Sequence, residues 1–123
     1  MNENCTQFVR RFTELSDVLD AAKQEVFDHW KPDQPPMTIL FAALGKEMAR
    51  QFDAIDEDAR QIAFQYIEVG MNSNDVVLKT AVASGLIEAM IAEASRSEEL
   101  RLKIEAQLGA ASQRHALAWC DGA

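Results

Sequence analysis

The sequence is poor in basic residues. Only 12 lysines and arginines stand against 20 aspartates and glutamates among 123 residues, which gives a formal net charge of −8 at pH 7. A protein that binds the phosphate backbone of nucleic acid needs a basic surface, and so does one that adsorbs to anionic lipid. We therefore expect neither a nucleic-acid partner nor a membrane partner. A basic protein surface is the better complement to this charge.

Long apolar runs are also lacking. The most apolar stretches, 37–44 and 76–92, are too short or are interrupted by charged residues, whereas a bilayer span needs ~20 predominantly apolar residues. Residues 1–5 contain no basic segment followed by an apolar one, so no secretory signal is predicted and we expect a cytoplasmic protein. The two cysteines, Cys5 and Cys120, are expected to be free thiols in that compartment. Whether they approach each other stays open.

Residues for familiar active-site chemistry are scarce as well. The sequence has two histidines, His29 and His115, and no phosphate-binding, dinucleotide-binding, zinc-protease or calcium-loop motif. For both histidines we expect polar contacts at or near a helix end. The sequence therefore predicts no catalytic residue, no metal site and no cofactor, and we do not expect an enzyme.

Helical periodicity is what the sequence does contain. Apolar residues at 5, 8, 12, 15, 19, 22 and 26 alternate in steps of three and four, which predicts one long helix over residues 5–30 with an apolar seam. Its end near Trp30 follows from the three prolines, all of which lie between residues 32 and 36. A homodimer through this seam is compatible with the pattern.

Four further helices are predicted after the prolines. The second contains Gly45, which suggests a close crossing by another helix. The third begins after Asp56, a suitable N-cap, and ends near Gly70, a typical C-terminal glycine. The fourth covers residues 75–94 and is apolar on nearly all sides, so we expect it to be central and buried.

The last predicted helix opens at residues 95–98, which have the form of a capping box, and its inner face extends to Ala118. No alternating strand pattern is present and no linker is long enough to divide the chain. The sequence therefore predicts an all-α fold: a single-domain bundle of about five helices over residues 1–123.

Most of the negative charge lies in the middle of the chain, where residues 46–93 hold nine acidic and four basic side chains. Glu68 and Glu88 stand in apolar helices and need either a partner or access to solvent. Four alternatives are open: a narrow exposed stripe, a pair with Lys79 or Arg60, an acidic recognition surface, or paired acid–base catalysis.

A run of carboxylates precedes the third predicted helix, and it forms either a solvated cap and loop or a docking patch for a basic partner. Tyr66 adds a side chain with an apolar body and a polar tip, as interfaces favour. The residues predicted to bind a partner are Asp53, Asp56, Glu57, Asp58, Tyr66, Glu68, Asp75 and Glu88.

Three segments carry a family resemblance: residues 36–45 (PMTILFAALG), 64–68 (FQYIE) and 75–88 (DVVLKTAVASGLIE). Over about residues 36–92 the chain resembles the small, acidic, helical immunity proteins of bacterial polymorphic toxin and type VI secretion systems. The resemblance implies a non-catalytic protein that binds a cognate toxin and blocks its active site, with Glu68 and Glu88 at acidic positions of the pattern.

The partner implied by this resemblance is a toxin with a basic active-site cleft, which an acidic surface can fill. The alternative interpretation is a helical adaptor or regulatory subunit of a cytosolic protein assembly. The sequence names neither the toxin nor the face that contacts it.

Overall fold

Helices make up nearly all of the chain. The computed structural model describes the backbone of residues 2–122 and the side chains of residues 2–120, and this part contains seven helices and no strand. The helices are α1 (Glu3–Glu14), α2 (Asp17–Trp30), α3 (Met37–Arg50), α4 (Glu57–Met71), α5 (Val76–Thr80, Ala81–Ile87 and Glu88–Ala94 in succession), α6 (Glu98–Gln107) and α7 (Ala110–Gly122). The all-α prediction is confirmed, with seven helices instead of about five. Within the described residues, no helix has the length and apolar character needed to cross a membrane.

The predicted single helix over residues 5–30 is wrong, because α1 and α2 are separate helices. Ser16 interrupts them with an extended backbone (φ −157°, ψ 140°), and its hydroxyl oxygen accepts a hydrogen bond from the Val18 amide at 3.3 Å. Near the end of α1, the Thr13 hydroxyl donates to the Val9 carbonyl oxygen at 2.7 Å. Serine and threonine side chains that bond the backbone in this way favour helix ends over helix interiors.

The apolar seam of the N-terminal helices faces the core of the same chain. Cys5, Phe12 and Leu19 are fully buried, and Phe8 stacks on Phe12 and Phe41 with ring centroids 5.4 and 5.3 Å apart. Aromatic pairs at such distances add to the free energy gained by burial. The buried part of the seam therefore stabilises the fold of this chain.

The helix predicted over residues 75–94 is present as α5 and is central, in contact with α1, α3, α4, α6 and α7. Its middle segment, Ala81–Ile87, is π-helical: the Glu88 amide donates to the Ala83 carbonyl, five residues earlier. The wider turn lies where α3 crosses, since a Cβ at Gly45 of α3 would overlap the Leu86 carbonyl oxygen. The close crossing expected at Gly45 is therefore confirmed.

The same crossing depends on a second glycine, in α5. A Cβ at Gly85 would lie 2.9 Å from the Phe41 Cβ and 3.3 Å from the Thr38 carbonyl oxygen. The predicted end of α4 near Gly70 is confirmed, since the helix ends at Met71. Gly70 is nevertheless not a C-terminal glycine stop, because none of the described glycines has a positive φ. Gly45, Gly70 and Gly85 each let two helices approach closely.

The predicted last helix is divided into α6 and α7. The predicted start of α6 near residues 95–98 is confirmed, but the cap is Ser97, whose hydroxyl oxygen accepts from the Leu100 amide at 3.2 Å, and not Ser95 of the predicted capping box, which ends the preceding helix. Helix α6 then ends because Leu108 is extended (φ −67°, ψ 137°), and α7 begins after Gly109. The capping group that starts α7 comes from another helix, which sequence spacing along this segment does not reveal.

Replacing Gly45 by alanine should destabilise the protein. Alanine normally improves an exposed helix by ~1 kcal/mol relative to glycine. Here the added methyl group must displace backbone, and overpacking of this kind costs about 1–3 kcal/mol. Urea unfolding followed by far-UV circular dichroism would measure the loss. The exposed Ser84→Ala in α5 is the control, expected to change stability by less than about 0.5 kcal/mol. A Gly45→Ala protein as stable as wild type would contradict the close crossing.

Candidate functional site

The N-terminus of α7 is capped by Glu68 of α4. The Glu68 carboxylate accepts hydrogen bonds from the Ala111 amide (2.9 Å), the Ser112 amide (3.0 Å) and the Ser112 hydroxyl (2.7 Å). Asn72 Nδ2 donates to it at 3.1 Å. Burial of the carboxyl group raises its pKa, but these hydrogen bonds outweigh burial and leave the pKa of Glu68 below its usual range. Glu68 therefore remains ionised at the positive end of a helix dipole.

Gly109 makes this approach of the carboxylate feasible, because a Cβ at that position would overlap the carboxyl group of Glu68. One turn further along α7, His115 Nε2 lies 2.9 Å from the Glu88 carboxylate of α5. Both carboxylates thus attach α7 to the central helices. The predicted pairs with Lys79 or Arg60 are wrong, and a purely exposed stripe is excluded for these two side chains.

Four of the predicted partner-binding carboxylates form one group, which we call the acidic edge: Asp53, Asp56, Glu57 and Asp58. They lie on the 3₁₀ turn Phe52–Ala54 and on the first turn of α4, and all four are exposed. Asp56 is the N-cap predicted from the sequence, and its Oδ2 accepts from the Asp58 amide at 3.1 Å. The acidic edge is therefore part of a defined helix start.

Arg60 holds the backbone of this turn in place. Its Nη1 donates to the carbonyl oxygens of Phe52 (2.9 Å) and Ile55 (2.7 Å), and its guanidinium group lies 4.6 Å from the centroid of the Phe52 ring. Hydrogen bonds to a charged donor and cation–π contacts both strengthen when partly removed from water. The positive charge of Arg60 thus orders the turn that carries the acidic edge.

Two glutamines that were not predicted from the sequence extend the acidic edge along α4. Asp58, Gln61, Gln65 and Glu68 are spaced by three, four and three residues, so they share one face of the helix over about 15 Å. Gln61, Gln65 and Glu68 also line a cleft of about 370 Å³ against the link between α6 and α7. The helical spacing of the two glutamines with the carboxylates was the signal that could have found them.

Asp75 and Tyr66 lie on the side of the molecule that α1 covers. Asp75 caps α5 by accepting from the Val77 amide at 2.9 Å, and it also accepts from Asn4 Nδ2 at 2.7 Å and Asn2 Nδ2 at 3.1 Å. The hydrogen bond from Asn4 is the largest of several contacts that lower the pKa of Asp75. Tyr66 lines a separate cleft of about 210 Å³ together with residues of α1. The eight predicted residues thus fall into three groups: the acidic edge, the two carboxylates at α7, and the pair beside α1.

The cysteines and histidines show no shared site. Cys5 is buried and Cys120 is exposed, and both are free thiols; burial raises the pKa of the Cys5 thiol. His29 lies in the last turn of α2 beside Trp30, as its position near the prolines suggested. In the described part of the chain, no three histidine, cysteine or carboxylate side chains come together in an arrangement that could hold a metal ion.

No model of a known protein family, no curated protein sequence and no solved structure shows significant similarity to this chain. The resemblance to immunity proteins over about residues 36–92 therefore stays a prediction. What the protein binds has to be inferred from its own side chains.

Replacing Glu68 by glutamine should loosen α7 without unfolding the core. The amide group accepts at one oxygen only and carries no charge, so part of the cap is lost, at a cost of about 0.5–2 kcal/mol. Native-state hydrogen exchange should show faster exchange at Ala111, at Ser112 and through α7, and unchanged exchange in α3. The exposed Glu25→Gln in α2 is the matched control. Exchange in α7 that did not change on Glu68→Gln would contradict the capping role.

The contribution of Glu68 should also depend on pH. Because its pKa is lower in the folded protein, its stabilisation is fully present above the ordinary glutamate pKa of about 4.3 and is lost as the pH falls through the lower folded value. The difference in unfolding free energy between wild type and Glu68→Gln should therefore be constant near neutral pH and decrease in acid. Urea titrations at about pH 7, 4 and 3 would measure it. A difference that grew in acid would have the wrong sign.

Proposed function

We propose that this protein is a cytoplasmic immunity protein that binds a cognate bacterial toxin and blocks its active site through the acidic edge. The observation that carries the proposal is an exposed group of four carboxylates on a turn held by Arg60 and by the Asp56 cap. A surface ordered before binding loses less conformational entropy when the complex forms. The resemblance over about residues 36–92 supports the same class of function.

The charges around the acidic edge favour a basic partner. Arg60 is engaged with backbone carbonyls, and Lys103 is shared between Asp53 and Glu99 at 3.4 and 3.5 Å. Because the acidic edge has four carboxylates and, among the described residues, only these two cations beside it, it keeps a net negative charge. Complementary charge of this kind raises association rates toward ~10⁸–10⁹ M⁻¹s⁻¹ at low salt.

The α4 face offers acceptors beyond the edge itself. Gln61 and Gln65 are exposed amides that follow Asp58 along the helix. At the cleft they line, Gln107 Oε1 is buried and has no hydrogen-bond partner among the described residues. Arginine and lysine side chains of a basic active-site cleft are donors only, so they complement this row of oxygens.

Three of the carboxylates predicted to contact a partner are already bonded within the chain. Glu68 already accepts four hydrogen bonds from within the chain, and Glu88 pairs with His115, so these two carboxylates support α7 and not the partner. Asp75 is occupied by the start of α1 and by its own helix. Asp53, Asp56, Glu57 and Asp58 remain the proposed contacts, with the two α4 glutamines beside them.

Co-expression with the product of the neighbouring reading frame tests the proposal. We expect a toxin there whose growth inhibition is relieved by this protein, and the two proteins should co-purify. In the double variant Glu57→Lys/Asp58→Lys, association should slow at least about tenfold and lose most of its salt dependence, because both changes reverse charge at the edge. Surface plasmon resonance at two salt concentrations would measure both effects.

The matched control is Glu14→Lys/Glu25→Lys, which changes the net charge by the same amount on exposed positions of α1 and α2. It should slow association far less than the edge variant. Equal slowing by both variants would contradict the acidic edge as the contact face. Absence of rescue and of a complex with wild type would contradict the immunity function itself. Capture of a different cytosolic protein in its place would favour the adaptor or regulatory subunit.

A further inference from the structure

A cleft, which we call the α1–α2 cleft, lies between the two N-terminal helices, and none of the proposed toxin contacts lines it. Its walls come from both helices, from Leu40 of α3 and from Gln34 in the link between α2 and α3. Its volume is about 570 Å³, within the range of ~300–1,000 Å³ that small-molecule sites occupy. The α1–α2 cleft therefore has the size of a small-molecule site and is bounded by three helices and a link.

The floor of the α1–α2 cleft is apolar. Val9 of α1 and Leu40 of α3 line it and belong to the buried core, whereas Phe27 of α2 lines it and is only partly buried. An apolar body placed here removes the exposed part of the Phe27 ring from water, and aromatic rings contribute a large apolar area to such contacts. The floor thus favours a ligand with an apolar part.

Two cations, Arg10 of α1 and Lys23 of α2, line the same cleft. None of the described residues that line it is a carboxylate, although acidic residues outnumber basic ones by 20 to 12 in the chain. Asp20 lies 3.2 Å from Lys23 Nζ and compensates that charge, whereas Arg10 takes part in none of the ion pairs found in the described part of the chain. Arg10 is therefore the charge that a ligand in the cleft meets.

The combination of Arg10 with an apolar floor selects the ligand. A guanidinium group is planar and donates two parallel hydrogen bonds to a carboxylate, whereas a neutral apolar ligand would cover Arg10 without supplying an acceptor. A large acidic partner is repelled by the net charge of −8 in proportion to its own charge, but a monoanion is repelled little. We infer that the α1–α2 cleft binds a small monocarboxylate with an apolar body, with the carboxylate on Arg10 and the body against Phe27 and Leu40.

A titration of the isotope-labelled full chain with cinnamate, followed by amide chemical shifts in NMR spectra, tests this inference. Saturable shifts should appear at Arg10, at Lys23–Phe27 and at Gln34, with a Kd of about 1 mM or lower for a probe of this size. Cinnamamide has the same apolar body and no charge. It should bind at least about fivefold more weakly, because it cannot form a charge-assisted pair with Arg10.

Arg10→Gln should raise the Kd for cinnamate at least about fivefold and leave the Kd for cinnamamide within about twofold, because only the carboxylate uses the charge. The matched control is Arg11→Gln, which removes the same charge one position along α1, where the side chain lines the cleft beside Tyr66. It should leave the Kd for cinnamate within about twofold of wild type. Both arginines are exposed, so both variants should fold, which circular dichroism would verify.

Three results would overturn the inference. The first is the absence of saturable shifts up to about 10 mM cinnamate, or shifts that lie outside the α1–α2 cleft. The second is equal affinity for cinnamate and cinnamamide, which would show an apolar site that does not use Arg10. The third is equal weakening by Arg10→Gln and Arg11→Gln, which would show an effect of net charge alone. No toxin takes part in this experiment, so its outcome is independent of the proposed function.

Discussion

The close crossing of α3 and α5 is the constraint on which the rest of the fold depends. Gly45 and Gly85 bring the two backbones together, so the π-helical turn of α5 lies against α3 with almost no side chain between them. The central helix is then surrounded: it contacts α1, α4, α6 and α7 as well. Close packing of this kind tolerates little added volume, which is why the smallest residues stand at the crossing.

Polar contacts attach the C-terminal helix to this core. α7 buries only Ser112 and Ala116 among its described side chains, and it is held by Glu68 at its first turn and by Glu88 at His115. Two carboxylates that look like recognition residues in a sequence therefore have structural partners. These partly buried polar contacts fix the position of the C-terminal helix on the core.

The carboxylates of the chain fall into groups with different surroundings. At the acidic edge they are exposed and ordered by Arg60, which suits a basic partner. At Glu68 and Asp75 their charge is compensated by amide donors of the chain itself.

The sequence by itself determined the helical fold, the proline break after Trp30, the extent of the central helix and the N-cap at Asp56, because periodicity and capping are local properties. One local signal was missed at Ser16. The apolar periodicity continues through this residue, but its hydroxyl oxygen accepts a backbone hydrogen bond and starts a new helix. Only the tertiary structure decided the partners of the isolated carboxylates. Glu68 meets Ser112 across 44 positions of the sequence, and Glu88 meets His115 across 27. A buried charge requires some partner, but which one it finds depends on how the helices cross.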